Sequence, residues 1–394
     1  MIHGENAILA GIVGLAPGTF HTMLLKHDGS VWSTGVESDG RNRFFVKVIA
    51  SGAMAVAAGK YYNIVLKQDN SVLVTYKDSN CCFHSSLFHG STTGVNTFSF
   101  TKLIPGAKAV AAGGFHSMVL AEAGRVWATG WNKYGQLGIG TMKESIGFIE
   151  ALSEGAKAIA AGDIHSIVLH EDGSVWATGC NKDGQLGDGS TSDRSNFVKV
   201  MSGGAANVAA GGFHSTVLKE DGSVWATGSN EYGQLGDGSV TDTMNYIEVV
   251  KSGAKAVAAG SRHSMMLKQD GSVWATGYNS YGQLGCGSTV NRIVFVQVMP
   301  DGATAIAAGS FHSMVLKEGG SIWATGSNEN GQFGDGTMTS EKKFVRLEPF
   351  GHGAEHYTII ILSYTHTSCL YIYKALWYHS LATMAPMQAL QAAM

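Results

Sequence analysis

From Gly106 onward, short apolar runs alternate with glycine-rich breaks in a fixed order. An alanine-rich run such as Ala107 to Ala112 leads to Gly-Gly-Phe, then His-Ser-Met-Val-Leu, then a break ending in glycine, then Val-Trp-Ala-Thr-Gly. A polar loop follows, and then an alternating stretch that begins at Phe148, Phe197, Tyr246, Phe295 or Phe344. Short apolar or alternating runs bounded by turn residues predict strands. Each cycle therefore predicts four of them.

The cycle repeats along the chain. His116, His165, His214, His263 and His312 follow one another at a step of 49, as do Trp127, Trp176, Trp225, Trp274 and Trp323. His21 and Asn63 read as two earlier anchors, with Trp32 in unit one and Leu73 replacing the tryptophan in unit two. Repetition at this period is the mark of stacked units rather than of separate domains. The expectation is an all-β, seven-bladed β-propeller with four-stranded antiparallel blades and a repeat of about 49 residues, as suits a ring that leaves no long sheet edge open. It spans 1–347, in units of about 1–50, 51–104, 105–152, 153–201, 202–250, 251–299 and 300–347, with 348–394 as a non-repeat tail. The alternating fourth strand is expected to join the next blade, so that Phe344 to Leu347 completes the blade begun by Leu15 to Gly35 and ties the termini together.

Each repeat position carries its own expectation. Small alanines suit the inner wall, where blades converge. Asp172-Gly173, Asp221-Gly222, Asp270-Gly271 and Asp28-Gly29 predict hairpin turns with positive φ at both residues, and Asp69-Asn70, Ala123-Gly124 and Gly319-Gly320 replace them elsewhere. The tryptophan belongs between adjacent blades, and Gly-Gln-Leu-Gly reads as a glycine-dependent turn. Unit two diverges over Thr75 to Ser99, where the blade is expected to be least regular.

Composition narrows the function. Glycine accounts for 53 of 394 residues, roughly twice the usual share, and proline for only 5, as many tight turns require. Charged residues make up 14% and the net charge is -3, with no basic tail, which argues against direct nucleic-acid binding. The cysteines Cys81, Cys82, Cys180, Cys286 and Cys369 are odd in number and lack CxxC spacing, so neither a disulfide framework nor a zinc site is expected. The apolar run from Ala7 to Ala16 has no basic segment before it and reads as the first strand, not a signal peptide. Tyr357 to Tyr373 is interrupted by Ser, Thr and His366 and is not read as a membrane span. A monomer in the cytoplasm, or alternatively the nucleus, is expected.

The repeat histidines tempt a metal reading, but one per blade places them around a ring, where they cannot converge on one ion. A backbone hydrogen bond that fixes the turn is the expected role. Asp188, Asp237 and Asp335 lack the spaced ligands of a calcium loop and read as turn residues. No nucleophile elbow, phosphate loop or HExxH occurs. No catalytic residue, cofactor or metal is expected, and the chain is not read as an enzyme.

The combination VAAGGFHSxVLxEDGSVWATGxNxxGQLGDG resembles the regulator of chromosome condensation repeat family, over roughly residues 13 to 347 and almost without deviation from Gly106 to Gly336. Residues 348 to 394 do not match it. The resemblance implies a seven-bladed propeller. The founding member is a guanine-nucleotide exchange factor for the small GTPase Ran, an activity associated with an added wedge-like insertion, for which repeats three to seven leave no room. A plant photoreceptor of similar fold uses tryptophans just before the histidine, where this chain has Phe20, Tyr62, Phe115, Ile164, Phe213, Arg262 and Phe311. Another member inhibits β-lactamases through one propeller face.

Positions identical in every copy hold the fold, and positions that vary are free to meet a partner. The variable loops carry Trp131, Tyr134, Tyr232, Tyr278 and Tyr281, with Arg262 nearby, and these residue types are concentrated at binding hot spots. The expected function is a non-enzymatic scaffold that binds a protein partner through these six residues on one propeller face. The alternatives are a guanine-nucleotide exchange factor for a small GTPase and a propeller-type enzyme inhibitor.

Overall fold

The computed structural model describes residues 11–37, 40–77 and 97–348. By its contacts the chain divides into Met1–Gly353 and Ala354–Met394, and the second unit, with the apolar stretch at Tyr357 to Tyr373, lies outside the described residues. The fold is all-β: seven four-stranded antiparallel sheets form the seven blades of a propeller. In blade one, β1 (Ile12–Pro17), β2 (His21–Lys26), β3 (Val31–Glu37) and β4 (Gly40–Ile49) pair in chain order, and the other six blades repeat this meander. Blade two is complete, because Ser71–Lys77 pairs with Thr97–Leu103 in an unbroken register. Among the described residues no helix is long and apolar enough to cross a membrane.

The first strand of each blade lines the axis. Glycines 18, 59, 113, 162, 211, 260 and 309 follow these strands and form a ring in which each stands against the next one's carbonyl. An ideal Cβ would lie 2.3 Å from the Gly162 oxygen at Gly113, 2.3 Å from the Gly211 oxygen at Gly162 and 2.5 Å from the Gly18 oxygen at Gly309. No side chain fits there.

A hydroxyl relay joins the blades behind this ring. His116 Nε2 of blade three meets Ser166 Oγ of blade four at 2.8 Å, and Ser166 Oγ donates back to the Gln136 carbonyl of blade three at 2.7 Å. Since the hydroxyl hydrogen is already committed, the imidazole donates through Nε2. The pairs His165 with Ser215, His214 with Ser264 and His263 with Ser313 repeat the contact at 2.8–2.9 Å. The histidine thus bonds to a side chain of the next blade, not to the backbone as expected. Its own carbonyl closes the turn, accepting from Gly113 N at 2.9 Å in blade three.

Unit two corrects the sequence alignment by one residue. Gly59 N donates to the Tyr62 carbonyl, so Tyr62 and not Asn63 holds the histidine position, and the residue before it is Tyr61. Asn63 takes the serine position, its Oδ1 2.6 Å from His21 Nε2, while the Tyr62 hydroxyl donates to the His116 carbonyl.

The expected strand exchange at closure does not occur. Glu341–Arg346 pairs with Ile322–Gly326 of its own repeat, and β4 pairs with β3. Blades seven and one meet instead through the contacts used elsewhere: His312 Nε2 lies 3.0 Å from Thr22 Oγ1, Thr34 Oγ1 donates to the Gly331 carbonyl at 2.8 Å, and Phe44 bridges Asp335. An interface already satisfied by repetition gains nothing from a shared strand.

Between blades sit the apolar clusters. Met265, Leu267, Val273 and Leu284 pack with Val315 and Trp323 at one junction, and Ile167, Leu169 and Val175 pack with Val217 and Trp225 at another. Each tryptophan therefore lies between blades, as its alternation predicts. Its ring is covered by a lysine ammonium, 4.1 Å from the centroid for Lys219 over Trp225, and in blade four by His170 stacked on Trp176.

The Asp-Gly turns differ from expectation. Only the glycine has positive φ, 75° at Gly173, while Asp172 Oδ1 accepts from Ser174 N at 2.8 Å. His170 N donates to the Ser174 carbonyl, enclosing three residues, the loop in which a turn is followed by one left-handed residue. Asn70 fills that place in blade two at φ 63°, whereas Ala123 and Gly124 in blade three both have positive φ.

Burial holds His116, His165, His214 and His312 down to about 3 and His263 to about 4. Their Nδ1 atoms are buried without a protein hydrogen bond, so a second ring proton has no acceptor. The unfolded chain binds those protons near pH 6.5, so stability is fully present above that pH and falls as acid is added, by about 1.4 kcal/mol per pH unit for each histidine. The thermal midpoint should drop steeply between pH 7.5 and 5.5, and His214→Gln should flatten the slope; a midpoint independent of pH in this window contradicts the relay. Gly162→Ala should cost more than about 3 kcal/mol in chemical denaturation, as strained positions do. Gly147→Ala, with nothing within 4 Å of its Cβ, should stay within about 0.5 kcal/mol.

Candidate partner-binding face

In blades three to seven the turn after the first strand and the loop after the third strand open on the same end of the ring. Trp131 N donates to the Phe115 carbonyl at 3.0 Å, and Cys180, Ser229, Tyr278 and Ser327 repeat the bond to Ile164, Phe213, Arg262 and Phe311. The loops are pinned from beneath. Asn181 is fully buried; its Oδ1 accepts from Leu186 N at 3.0 Å and its Nδ2 donates to Asp188 Oδ1 at 2.9 Å. Gln185 Oε1 accepts from Asp183 N at 3.0 Å. The same Asn and Gln recur in blades three, five, six and seven, leaving the residues between them free to vary.

Asp188, Asp237 and Asp335 are turn residues. Each takes the backbone N–H two positions on, at 3.0, 3.0 and 2.9 Å, and Asp188 also pairs with Arg194 at 2.7 Å. Cys286 occupies this position in blade six, and hydrogen bonds from Ser288 and Arg292 outweigh desolvation to lower its pKa. Cys180 faces the other way: burial raises it to about 11. Among the described residues no three His, Cys, Asp or Glu side chains are grouped to hold a metal ion.

The six candidate residues fall into two arcs. In blade three Trp131 and Tyr134 meet edge to face with centroids 5.3 Å apart, and Lys182 covers Tyr134. In blades five and six Tyr232 meets Tyr278 at 4.9 Å, Tyr278 meets Tyr281 at 6.3 Å, and Arg262 donates to the Tyr232 hydroxyl at 2.8 Å. The Arg262 guanidinium also lies 5.0 Å from the Tyr232 ring centre and 5.5 Å from that of Phe213.

Further aromatics, beyond the six candidate residues, extend both arcs. Phe20, Tyr61, Phe115 and Trp131 follow one another at 5.3, 6.4 and 5.8 Å, and Tyr281 continues to Phe311 at 5.3 Å. The signal was present, since an aromatic precedes the histidine in five of the units, with Tyr61 included once unit two is realigned. Blade four separates the arcs: Ile164 stands where five of the other six blades carry a ring, with Asp163 just before it and Asp183 in the loop of the same blade. Burial raises the pKa of both carboxyls, at Asp183 with help from the Asp242 charge.

The family model described as RCC1-like domain matches residues 84–383. The chain belongs to the RCC1-like domain family. Its propeller is similar to that of human WBSCR16, with a TM-score of 0.67 and 20% identity over 78% of this chain and 86% of that one. It is similar also to Prp20p of Saccharomyces cerevisiae, with a TM-score of 0.66 and 19% identity over 76% and 80% of the two chains. For yeast RCC1 (Prp20) bound to Kap60, the TM-score is 0.69 and the identity 17%, over 88% of this chain and 87% of that one. Comparison with curated proteins finds no match. At these identities the likeness to the solved structures concerns the fold alone.

In native protein at pH 8, iodoacetamide should modify Cys286 well before Cys180, because the thiolate is the nucleophile. Peptide mass spectrometry reads the order, and equal rates contradict the environments described.

Proposed function

We propose that this RCC1-like propeller is a non-enzymatic scaffold that holds a protein partner on its loop face. The arc of Tyr232, Arg262, Tyr278, Tyr281 and Phe311 carries the reading. Tyrosine and arginine side chains concentrate binding energy, and these are already held by one another through ring contacts and the 2.8 Å hydrogen bond. Side chains ordered before binding lose less entropy when a partner arrives. The opposite end carries the short Asp-Gly turns, which are nearly identical between copies and offer little to distinguish one partner from another. Proteins of this fold are known with protein partners: Prp20p is described with its binding properties to Gsp1p and histones, and in complex with Kap60.

Guanine-nucleotide exchange on a small GTPase is the second reading, supported by the Gsp1p binding of Prp20p. A nucleotide-release assay separates the two, since a scaffold leaves the release rate of a bound fluorescent nucleotide unchanged. For the scaffold itself, the Tyr232→Ala/Tyr281→Ala double variant should keep its thermal midpoint within a few degrees. In affinity capture read by quantitative mass spectrometry it should lose the protein that the wild-type chain recovers. Equal recovery contradicts the assignment.

A further inference from the structure

The centre of the loop face holds a feature that the aromatic arcs do not use. A cavity of about 70 Å³ opens on the axis above the glycine ring, lined by Thr19, Lys60, Asp163, Ser261 and Ser310. These belong to the position after each ring glycine, and Asp163 is the one carboxylate among them. The corresponding residues in the blades on either side are Gly114 and Gly212, so no side chain crowds it from either neighbour. An ideal Cβ on Gly212 would stand 3.1 Å from Asp163 Oδ2.

This carboxylate makes no hydrogen bond and no ion pair among the described residues; burial raises its pKa, and the Lys60 and Arg262 charges pull it back down. Two cations lie nearby, yet both are held by rings. The Lys60 ammonium sits 5.9 Å from the Tyr61 centre and 5.5 Å from the Phe115 centre. Arg262 is fixed on Phe213 and Tyr232. Thr19 and Ser310 satisfy each other at 2.6 Å. The half-buried Asp163 carboxylate thus lines the cavity without the direct ion pair that a charge in such a place normally has.

We infer that the axial cavity receives one cationic side chain of the partner, a lysine ammonium or arginine guanidinium, which enters along the ring axis and pairs with the Asp163 carboxylate. The inference supplies the partner chemistry of the loop face and rests on that reading. A cation entering here meets a carboxylate with no direct partner of its own, and passes between the two aromatic arcs, whose ring faces attract positive charge. Lys60 competes for the same carboxylate.

The test uses n-butylammonium as a lysine head group and n-butanol as its neutral counterpart, titrated into the whole chain while the backbone amide resonances of Gly162 to Ile164 are followed. n-Butylammonium should give saturable shifts, n-butanol none. Asp163→Asn should weaken binding at least tenfold with an unchanged thermal midpoint, and Lys60→Met should strengthen it several-fold. Asp163→Ser serves as a second variant of the carboxylate. Equal response to n-butanol, or full binding by both Asp163 variants, overturns the inference. Capture by the tyrosine double variant scores the loop-face reading separately: unchanged capture beside intact n-butylammonium binding removes that reading and leaves the cation site standing.

Discussion

Every junction in this ring depends on bringing two backbones to van der Waals distance at the axis. The seven glycines make that approach, and much of the repeat follows from it. With the first strands so close, only small residues fit between them, which is why alanines fill those strands. The turn beyond each glycine then places an imidazole against the next blade, where a serine hydroxyl accepts its proton and passes a hydrogen bond to the glutamine carbonyl. A charged imidazole cannot take part, because its other nitrogen faces no acceptor. The relay thus ties the blade angle, the protonation state and the loop geometry into one arrangement.

Because the arrangement is local to each pair of neighbours, the ring closes by repetition. Blade seven meets blade one through Gly309 with Gly18, His312 with Thr22 and Gly331 with Thr34, the same kinds of contact as between inner blades. Blade two shows the tolerance of the scheme. Tyr62 replaces the imidazole and Asn63 the serine, yet both still reach the neighbouring blade. The loop face inherits this rigidity. Buried Asn and Gln side chains hold the loops of blades three to seven from below, so the residues displayed above are free to differ without cost to the ring.

Much of this was legible in the sequence. The step of 49 from His116 to His312, the repeated tryptophan and the strand-like runs identify seven four-stranded blades, and the tryptophan proves to lie between them. What failed was what depends on a partner distant in sequence or on a single-residue offset. Nothing in Phe344 to Leu347 records which neighbour its backbone will bond, so strand exchange looked plausible. Asn63 was read as the anchor of unit two, whereas backbone geometry assigns that place to Tyr62. The loop aromatics Trp131, Tyr134, Tyr232, Tyr278 and Tyr281 stand out as departures from the repeat. The aromatics before the histidine stood out in the sequence only as positions without tryptophan, since their contacts with the loop aromatics join residues distant in the chain, and Asp163 acquires meaning only beside Gly114 and Gly212.

The proposed binding through the loop face is directional: contact with a partner should be confined to the loop end. Hydrogen–deuterium exchange on the purified chain with its captured partner measures this directly. Exchange should slow in the segments around Phe115, Trp131, Tyr232, Arg262 and Tyr278, with the Asp-Gly turns at Gly173, Gly222 and Gly271 unchanged. Protection of those turns with unaltered exchange in the loops would contradict it.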